Sequence, residues 1–167
     1  MIHTLTRPAN AALIAAAVMF AALAGAWYFQ YGLGYIPCPL CYEQRIPYYV
    51  AIPLGLAVAA LAHWGFSNKL VKTGLWLLAL VLVVSASMGV YHAGVEWGFW
   101  KGPTSCAGTG APSVAPIGDL LKAIQNVKVV SCTDAAWRLF GISLAGYNAL
   151  ISAAMALLVL LAVRRKA

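Results

Sequence analysis

Between two long apolar runs, the sequence reads Pro37-Cys38-Pro39-Leu40-Cys41-Tyr42-Glu43-Gln44-Arg45. Two cysteines separated by two residues can close a small disulfide ring and open it again, which is chemistry for moving pairs of electrons. If a helix begins just after Cys41, the positive end of its dipole and the nearby Arg45 guanidinium both favour the thiolate form of cysteine. The stretch therefore predicts a redox site held at a membrane surface by the apolar runs on either side.

The composition of the chain is that of a membrane protein. Of its 167 residues, 63% are hydrophobic and 9% are charged, and the mean hydropathy is +0.83, far from the usage of soluble domains. Four runs approach or exceed the length of about 20 apolar residues that crosses a bilayer; they lie at about 10–31, 46–63, 73–92 and 142–163. We predict an all-α integral membrane protein, a four-transmembrane-helix bundle in which residues 1–167 form a single domain.

The first apolar run also resembles a secretory signal peptide. Ala22-Leu23-Ala24 is similar to a signal-peptide cleavage site. The run nevertheless continues through Trp27, Tyr28 and Phe29, which is typical of the aromatic belt at a membrane interface. We therefore interpret it as a retained membrane span.

Two loops on one side of the predicted bundle carry the cysteines. The loop at about 32–45 holds the CxxC pair, and the longer loop at about 93–141 holds Cys106 and Cys132. Within the longer loop, apolar residues recur at helical spacing: Ile117, Leu120, Leu121, Ile124 and Val127. This spacing predicts a short amphipathic helix that lies on the membrane surface or packs on the spans.

Basic residues indicate how the chain is oriented. The termini and the 64–72 loop hold no acidic residue and six basic ones: Arg7, Lys69, Lys72, Arg164, Arg165 and Lys166. The opposite side holds Arg45, Lys101, Lys122, Lys128 and Arg138 over much more chain, together with Glu43, Glu96, Asp119 and Asp134. The positive-inside rule then places the termini in the cytoplasm and all four cysteines on the oxidising side. The net charge of +7 is thus explained by orientation, and we predict no nucleic-acid partner.

Each cysteine pair has a structural or metal-binding alternative to a redox function. A disulfide between Cys106 and Cys132 would enclose 25 residues and stabilise its loop by roughly 3 kcal/mol, so it can be a structural staple. A ring closed by Cys38 and Cys41 gains far less, which favours redox chemistry there. The wide spacing of the second pair fits zinc knuckles poorly, and Tyr42 rather than His after Cys41 disfavours haem attachment. We predict no metal.

Three further residues near the membrane boundary can serve the same site. Arg45 lies four residues after Cys41, on the same face if both are helical, and can stabilise a thiolate or an anionic oxygen on a bound ring. The alternative is a membrane-boundary anchor. His92 and Glu96 are also four apart, so one face of a helix end would offer a proton donor and an acceptor. The alternative for His92 is an interfacial residue that caps a carbonyl.

Together these features resemble the disulfide bond formation protein B (DsbB) family. The resemblance rests on four spans, the CPLC pair followed by Glu43-Gln44-Arg45, and Tyr91-His92 at the end of the third span. It also rests on the second cysteine pair, split across the long loop as Gly102-Pro103-Thr104-Ser105-Cys106 and Cys132-Thr133-Asp134.

The resemblance implies a membrane thiol:quinone oxidoreductase of the bacterial inner membrane. Such a protein would reoxidise a periplasmic DsbA-like dithiol oxidase and reduce a membrane quinone, ubiquinone or menaquinone. By the resemblance, Cys106 would form the mixed disulfide with the partner, Cys132 would be its mate, and Cys38 would exchange with that pair. Cys41 would meet the quinone, Arg45 would hold a quinone oxygen, and His92 and Glu96 would line the quinone site.

Two other readings compete with this expectation. A vitamin K epoxide reductase-like protein also has four spans and a CxxC pair, but in that family the pair lies near the last span, whereas here it follows the first. A non-enzymatic membrane scaffold with two structural disulfides is the other alternative. Staples would resist mild reductant and form no mixed disulfide with another protein.

Overall fold

The computed structural model of the protein describes residues 2–103 and 128–164. Four of its helical segments are long and apolar enough to cross a membrane: Pro8–Gly32, Pro39–His63, Asn68–Glu96 and Leu144–Val163. The predicted all-α, four-span membrane fold is therefore confirmed. Cys106 and the predicted amphipathic helix at 117–127 lie outside the described residues.

The described part of the chain consists of helices with short strand pairs between them. The helices are α1 (Ile2–Leu5), α2 (Pro8–Trp27), α3 (Pro39–Glu43), α4 (Ile46–His63), α5 (Asn68–Glu96) and α6 (Leu144–Val163). A π-helical turn, Tyr28–Gly32, continues α2. The strands are β1 (Tyr35–Ile36), β2 (Lys128–Val129), β3 (Arg138–Leu139) and β4 (Ile142–Ser143).

The helix ends follow ordinary capping chemistry. Pro8 opens α2 and Pro39 opens α3, because proline has no N–H to lose at the first position and its φ suits a helix. The Ser143 side chain caps α6 and accepts a hydrogen bond of 3.1 Å from the backbone N–H of Gly146. Helix α5 spans 29 residues and extends past the predicted span 73–92 at both ends, so Glu96 lies in the helix rather than in the loop.

The core lies where α2, α4, α5 and α6 face one another. Apolar side chains from these helices form one buried cluster, in which Met19, Leu75, Leu78, Leu82 and Val159 are all 0% exposed. Many large apolar residues point outward instead, including Phe20, Trp76, Leu80 and Leu157. An apolar exterior around a packed apolar core is what a bilayer requires of a helix bundle.

Small residues let the helices approach closely. A Cβ atom placed on Gly89 of α5 would lie 2.7 Å from the backbone nitrogen of Ala149 in α6, closer than van der Waals contact allows. One placed on Gly55 of α4 would lie 3.0 Å from the carbonyl oxygen of Ala12 in α2. In a bilayer such close backbone packing replaces the hydrophobic drive that holds soluble helices together.

The strand pairs join the two cysteine loops and lead into the last helix. β1 pairs in parallel with β2, with Tyr35 opposite Lys128 and Ile36 opposite Val129. β3 and β4 form a hairpin whose turn holds Phe140 and Gly141, both at positive φ. The first of these pairings determines where the cysteines meet.

Candidate redox site

Cys38 and Cys41 are joined by a disulfide at the start of α3. The helix begins at Pro39, between the two cysteines, rather than after Cys41, because proline favours the first helical position. Cys38 is the N-cap, and its sulfur accepts a hydrogen bond of 3.1 Å from the backbone N–H of Cys41. Cys38 is 2% exposed, whereas Cys41 is partly exposed. The two sulfurs therefore meet different surroundings.

The pairing of β1 with β2 brings Cys132 to the CxxC pair. The backbone N–H of Val130 donates to the carbonyl of Ile36 at 3.2 Å, which extends the parallel pairing toward both cysteines. Cys38 and Cys132, which is 1% exposed, then lie in one small apolar cluster with Leu40 and Val95. Cys132 is itself disulfide-bonded. The two loops that carry the cysteines thus meet in one buried apolar cluster.

His92 lies against the Cys38 sulfur. Its Nε2 atom is 3.7 Å from Cys38 Sγ, and its Nδ1 atom is 3.1 Å from the side-chain nitrogen of Gln44. That Gln44 nitrogen also donates to the carbonyl of Met88 at 3.2 Å. Because a carbonyl only accepts, the Gln44 atom is the NH2 group, and it donates to Nδ1 as well. The proton of neutral His92 is therefore on Nε2, facing the sulfur.

Glu96 lies beyond His92 on the same face of α5. One carboxylate oxygen is 3.9 Å from His92 Nε2, and the Glu96 side chain is only 5% exposed. Ser143 and Arg138 are the polar groups that face this carboxylate from the hairpin before α6. The predicted proximity of His92 and Glu96 on one helical face is thus present, and both lie on the Cys38 side of the disulfide.

Arg45 lies on the other side of the CxxC pair. It is 7% exposed, and its guanidinium donates to the side-chain oxygen of Gln30 at 2.5 Å. The guanidinium carbon also lies 5.1 Å from the centre of the Tyr42 ring. The hydrogen bond to Gln30 holds Arg45 in place. Because the Gln30 amide is neutral, it does not balance the positive charge of the guanidinium.

A cavity of about 240 Å³ opens beside Cys41 and Arg45. Its wall is mostly apolar and comes from α2, the π-helical turn, α4 and α6, with Ala22, Ala26, Phe29, Leu144 and Ile151 among its residues. The polar side chains on this wall are Gln30, Tyr35, Gln44, Arg45, Tyr48, Tyr147 and Asn148. His92 and Glu96 are not among the lining residues. Cys41, the guanidinium of Arg45 and a set of apolar side chains therefore line the same small cavity.

Three residues of this wall were not predicted from the sequence: Gln30, Tyr48 and Asn148. Of these, only Asn148 could have been recognised from the sequence, because burial of a polar amide inside an apolar span is energetically unfavourable and such residues are usually functional. Gln30 and Tyr48 lie near predicted span ends, where polar and aromatic residues are common, so their positions alone indicated no site.

Cys38, Cys41 and His92 also have the composition of a metal site. Their ligand atoms all lie within 4.8 Å of one another. A metal would need the two cysteines as thiolates, whereas here they are joined in a disulfide. The arrangement is that of a disulfide with a neighbouring imidazole.

The fold and the site define a multi-pass helical membrane protein built around a CxxC disulfide. The family model for "Disulfide bond formation protein DsbB" matches residues 8–162. The chain therefore belongs to the DsbB family, and its activity is that of a disulfide-forming oxidoreductase.

Curated relatives agree with this assignment. "Disulfide bond formation protein B 1" of Burkholderia lata is 33% identical over 138 residues, which cover 78% of this chain and 74% of the relative. "Disulfide bond formation protein B" of Marinobacter nauticus is 26% identical over 149 residues, 86% of this chain and 84% of the relative. "Uncharacterized protein RP370" of Rickettsia prowazekii is 28% identical over 141 residues, 84% and 78% of the two chains. No solved structure gives a significant match.

Proposed function

We propose that this protein is a thiol:quinone oxidoreductase of the bacterial inner membrane. It reoxidises a periplasmic DsbA-like dithiol oxidase and passes the electrons to a membrane quinone, ubiquinone or menaquinone. The observation that carries this proposal is that Cys41 of the CxxC disulfide lines an apolar cavity together with Arg45. The termini are cytoplasmic and the cysteine loops periplasmic, as the distribution of basic residues favours.

The residues around the cavity fit a quinone. An apolar wall suits a ring with a hydrocarbon tail, and the buried guanidinium of Arg45 suits a ring oxygen that gains negative charge. A bound quinone supplies an acceptor for two electrons and two protons. Arg45, held in place by Gln30, would bind an oxygen of the ring, and Cys41 lines the same cavity, where it would face the ring.

The cysteines carry the electrons from the periplasmic partner to this cavity. Oxidation of two partner thiols to one disulfide releases two electrons and two protons. In the proposed relay, Cys106 forms the mixed disulfide with the partner, and Cys132 is its mate. Cys38 then exchanges with the loop pair, supported by its contact with Cys132 in one apolar cluster. The exchange leaves Cys41 as the thiolate that faces the cavity.

His92 and Glu96 are proposed to act on the Cys38 side of the relay. The Nε2 proton of His92 faces Cys38 Sγ at 3.7 Å, so His92 can donate a hydrogen bond to this sulfur and stabilise the negative charge that it gains during disulfide exchange. Glu96 lies 3.9 Å from the same nitrogen and would help to keep the proton on Nε2. This placement differs from the role in the quinone site that the family resemblance implied for both residues.

The test uses purified full-length protein in detergent, a water-soluble quinone and a reduced DsbA-like dithiol oxidase. Quinone absorbance is followed for the wild type, for Cys41→Ser and for Ser87→Ala, a control on the exposed side of α5. We expect loss of quinone that requires both the dithiol and Cys41, with the control unchanged. Retained turnover in Cys41→Ser would overturn the relay, and no turnover in the wild type would favour a non-enzymatic scaffold.

A further inference from the structure

A cluster of polar side chains lies inside the helix bundle, next to the cavity. Tyr48 of α4, Ser85 of α5 and Ser152 of α6 surround the side chain of Asn148, which is 8% exposed. The side-chain oxygen of Asn148 accepts from the Tyr48 hydroxyl at 2.5 Å and from Ser152 at 3.1 Å, and the Ser85 hydroxyl lies 3.4 Å away. Hydroxyl groups therefore surround the oxygen side of this amide.

The nitrogen side of the same amide is left without a partner. The Nδ2 atom of Asn148 is buried and finds no acceptor among the residues that the structure describes. Buried N–H groups are nearly always paired, and an unpaired one is destabilising. Asn148 also lines the cavity beside Cys41 and Arg45. Because Nδ2 itself is covered, a molecule bound in that cavity can supply the missing acceptor when the Asn148 amide turns toward it.

The polar groups of the cavity wall lie at two depths. Arg45 and Cys41 are at the outer level, and Tyr48 follows Arg45 by three residues, about 4.5 Å farther along the helix axis at 1.5 Å per residue. Tyr48 contacts Asn148 directly, so the unpaired amide belongs to the deeper level. A 1,4-quinone carries carbonyl oxygens on opposite edges of its ring, which matches polar groups at two separate levels.

We propose that Asn148 binds the second carbonyl oxygen of the quinone ring through Nδ2, while Arg45 faces the first. The proposal rests on the proposed function, because it takes the cavity ligand to be a quinone. Tyr48, Ser85 and Ser152 are positioning residues that direct the oxygen of the amide away from the ligand. Both ubiquinone and menaquinone carry the second carbonyl, so Asn148 would contribute to the binding of either.

A structural role for the cluster predicts a different set of results. Polar side chains often join membrane helices by hydrogen bonds alone, and Ser85 and Ser152 already do so across α5 and α6 at 2.9 Å. In that case replacement of Asn148 would lower the stability of the bundle and leave the bound ring unaffected. The measurement must therefore report on the quinone carbonyl groups and not only on turnover.

The experiment titrates the purified full-length protein with ubiquinone-1 and with menadione. The dissociation constant is read from tryptophan fluorescence quenching, and the carbonyl bands of the bound quinone from infrared difference spectra. Asn148→Leu removes the donor at similar volume. Ser87→Ala, which removes an exposed hydroxyl of α5 outside the cluster, is the control and should bind both quinones as the wild type does. For Asn148→Leu we expect the dissociation constant of both quinones to rise roughly tenfold, as for the loss of one buried hydrogen bond.

The infrared spectra decide the assignment. In the wild type both carbonyl bands should lie below their frequency in an apolar solvent, and in Asn148→Leu one of them should return to it. An unshifted carbonyl band in the wild type would overturn the proposal even if the variant failed to fold, as would equal binding and bands in a folded variant. Absence of any quinone binding by the wild type would instead overturn the proposed function itself.

Discussion

Nε2 of His92 lies 3.7 Å from the Sγ atom of Cys38, although the two residues are 54 positions apart in the chain. Helix α5 presents the imidazole to the CxxC loop, and Gln44 donates to its other nitrogen at 3.1 Å. That hydrogen bond keeps the proton of neutral His92 on the side of the sulfur. We therefore propose that His92 acts in disulfide exchange at Cys38 rather than in the cavity beside Cys41.

Replacement of His92 tests this assignment. In His92→Ala we expect the turnover number with saturating quinone and dithiol to fall roughly 10- to 100-fold, because the hydrogen bond to the charged sulfur is lost and such bonds contribute about 1.5–3 kcal/mol. The KM for quinone should stay unchanged, because His92 does not line the cavity. Steady-state kinetics with varied quinone concentration measure both quantities.

The control for this variant is Ser87→Ala in the same helix, whose hydroxyl bonds only to the carbonyl of Val83 among the described contacts. It should change neither quantity. A higher quinone KM in His92→Ala with an unchanged turnover number would instead place His92 in the quinone site, as the family resemblance implied.

Because Cys38 and Cys132 lie in one cluster, we predict that the two can form a disulfide with each other. When Cys41 and Cys106 are both replaced by serine, the two remaining cysteines should join in a disulfide under mild oxidation. They are 2% and 1% exposed and lie in one apolar cluster, which favours pairing with each other over pairing with a thiol in solution. Mass spectrometry of the alkylated, unreduced protein would show one linked peptide pair.

The β1–β2 pairing provides the matching control. Val130→Pro removes the N–H that donates to the Ile36 carbonyl at 3.2 Å, so the linked species should form much more slowly in that background. Val130→Ala keeps the N–H and should behave as the parent does. Two alkylated, unlinked cysteines in the parent would contradict the proposed exchange.

Much of the fold was predictable because hydropathy reports directly on membrane spans. The apolar runs and the CxxC motif are local features, and the structure bears out the four-span helical fold. Helix α3 begins before Cys41 rather than after it, because Pro39 favours the first helical position. Helix α5 extends beyond the predicted span 73–92, and polar residues at a helix end resemble a loop in a hydropathy profile.

The candidate site was only partly predictable because its members meet through tertiary packing. No spacing in the sequence indicates that residues 35–36 pair with residues 128–129, yet that pairing brings Cys132 to Cys38. Arg45 could be assigned to the Cys41 side from its four-residue spacing. The side of the disulfide on which His92 lies depends on how α5 rotates against α3, which sequence periodicity does not determine.

Close packing of α5 against α6 predicts a large effect from a small substitution. Gly89→Ala would place a methyl group 2.7 Å from the backbone nitrogen of Ala149, and overpacking of this kind destabilises a protein by about 1–3 kcal/mol. We expect a lower midpoint in thermal unfolding of the detergent-purified protein. Gly25→Ala in α2 is the control, since a Cβ there has nothing within 4 Å, and an equal loss in both variants would refute the close approach.

The buried contact between Arg45 and Gln30 predicts graded losses in quinone affinity. Arg45→Met keeps a long side chain but removes the charge from the cavity wall. Because hydrogen bonds to charged groups contribute about 1.5–3 kcal/mol, the KM for quinone should rise roughly 10- to 100-fold. Arg45→Lys should lose less, because the charge remains without the planar fork. Gln30→Ala, which frees the guanidinium from its 2.5 Å hydrogen bond, should raise the KM least, because Arg45 keeps its charge and only its orientation loosens. A Gln30→Ala effect as large as that of Arg45→Met would show that the amide itself, rather than the cation it positions, contacts the ring.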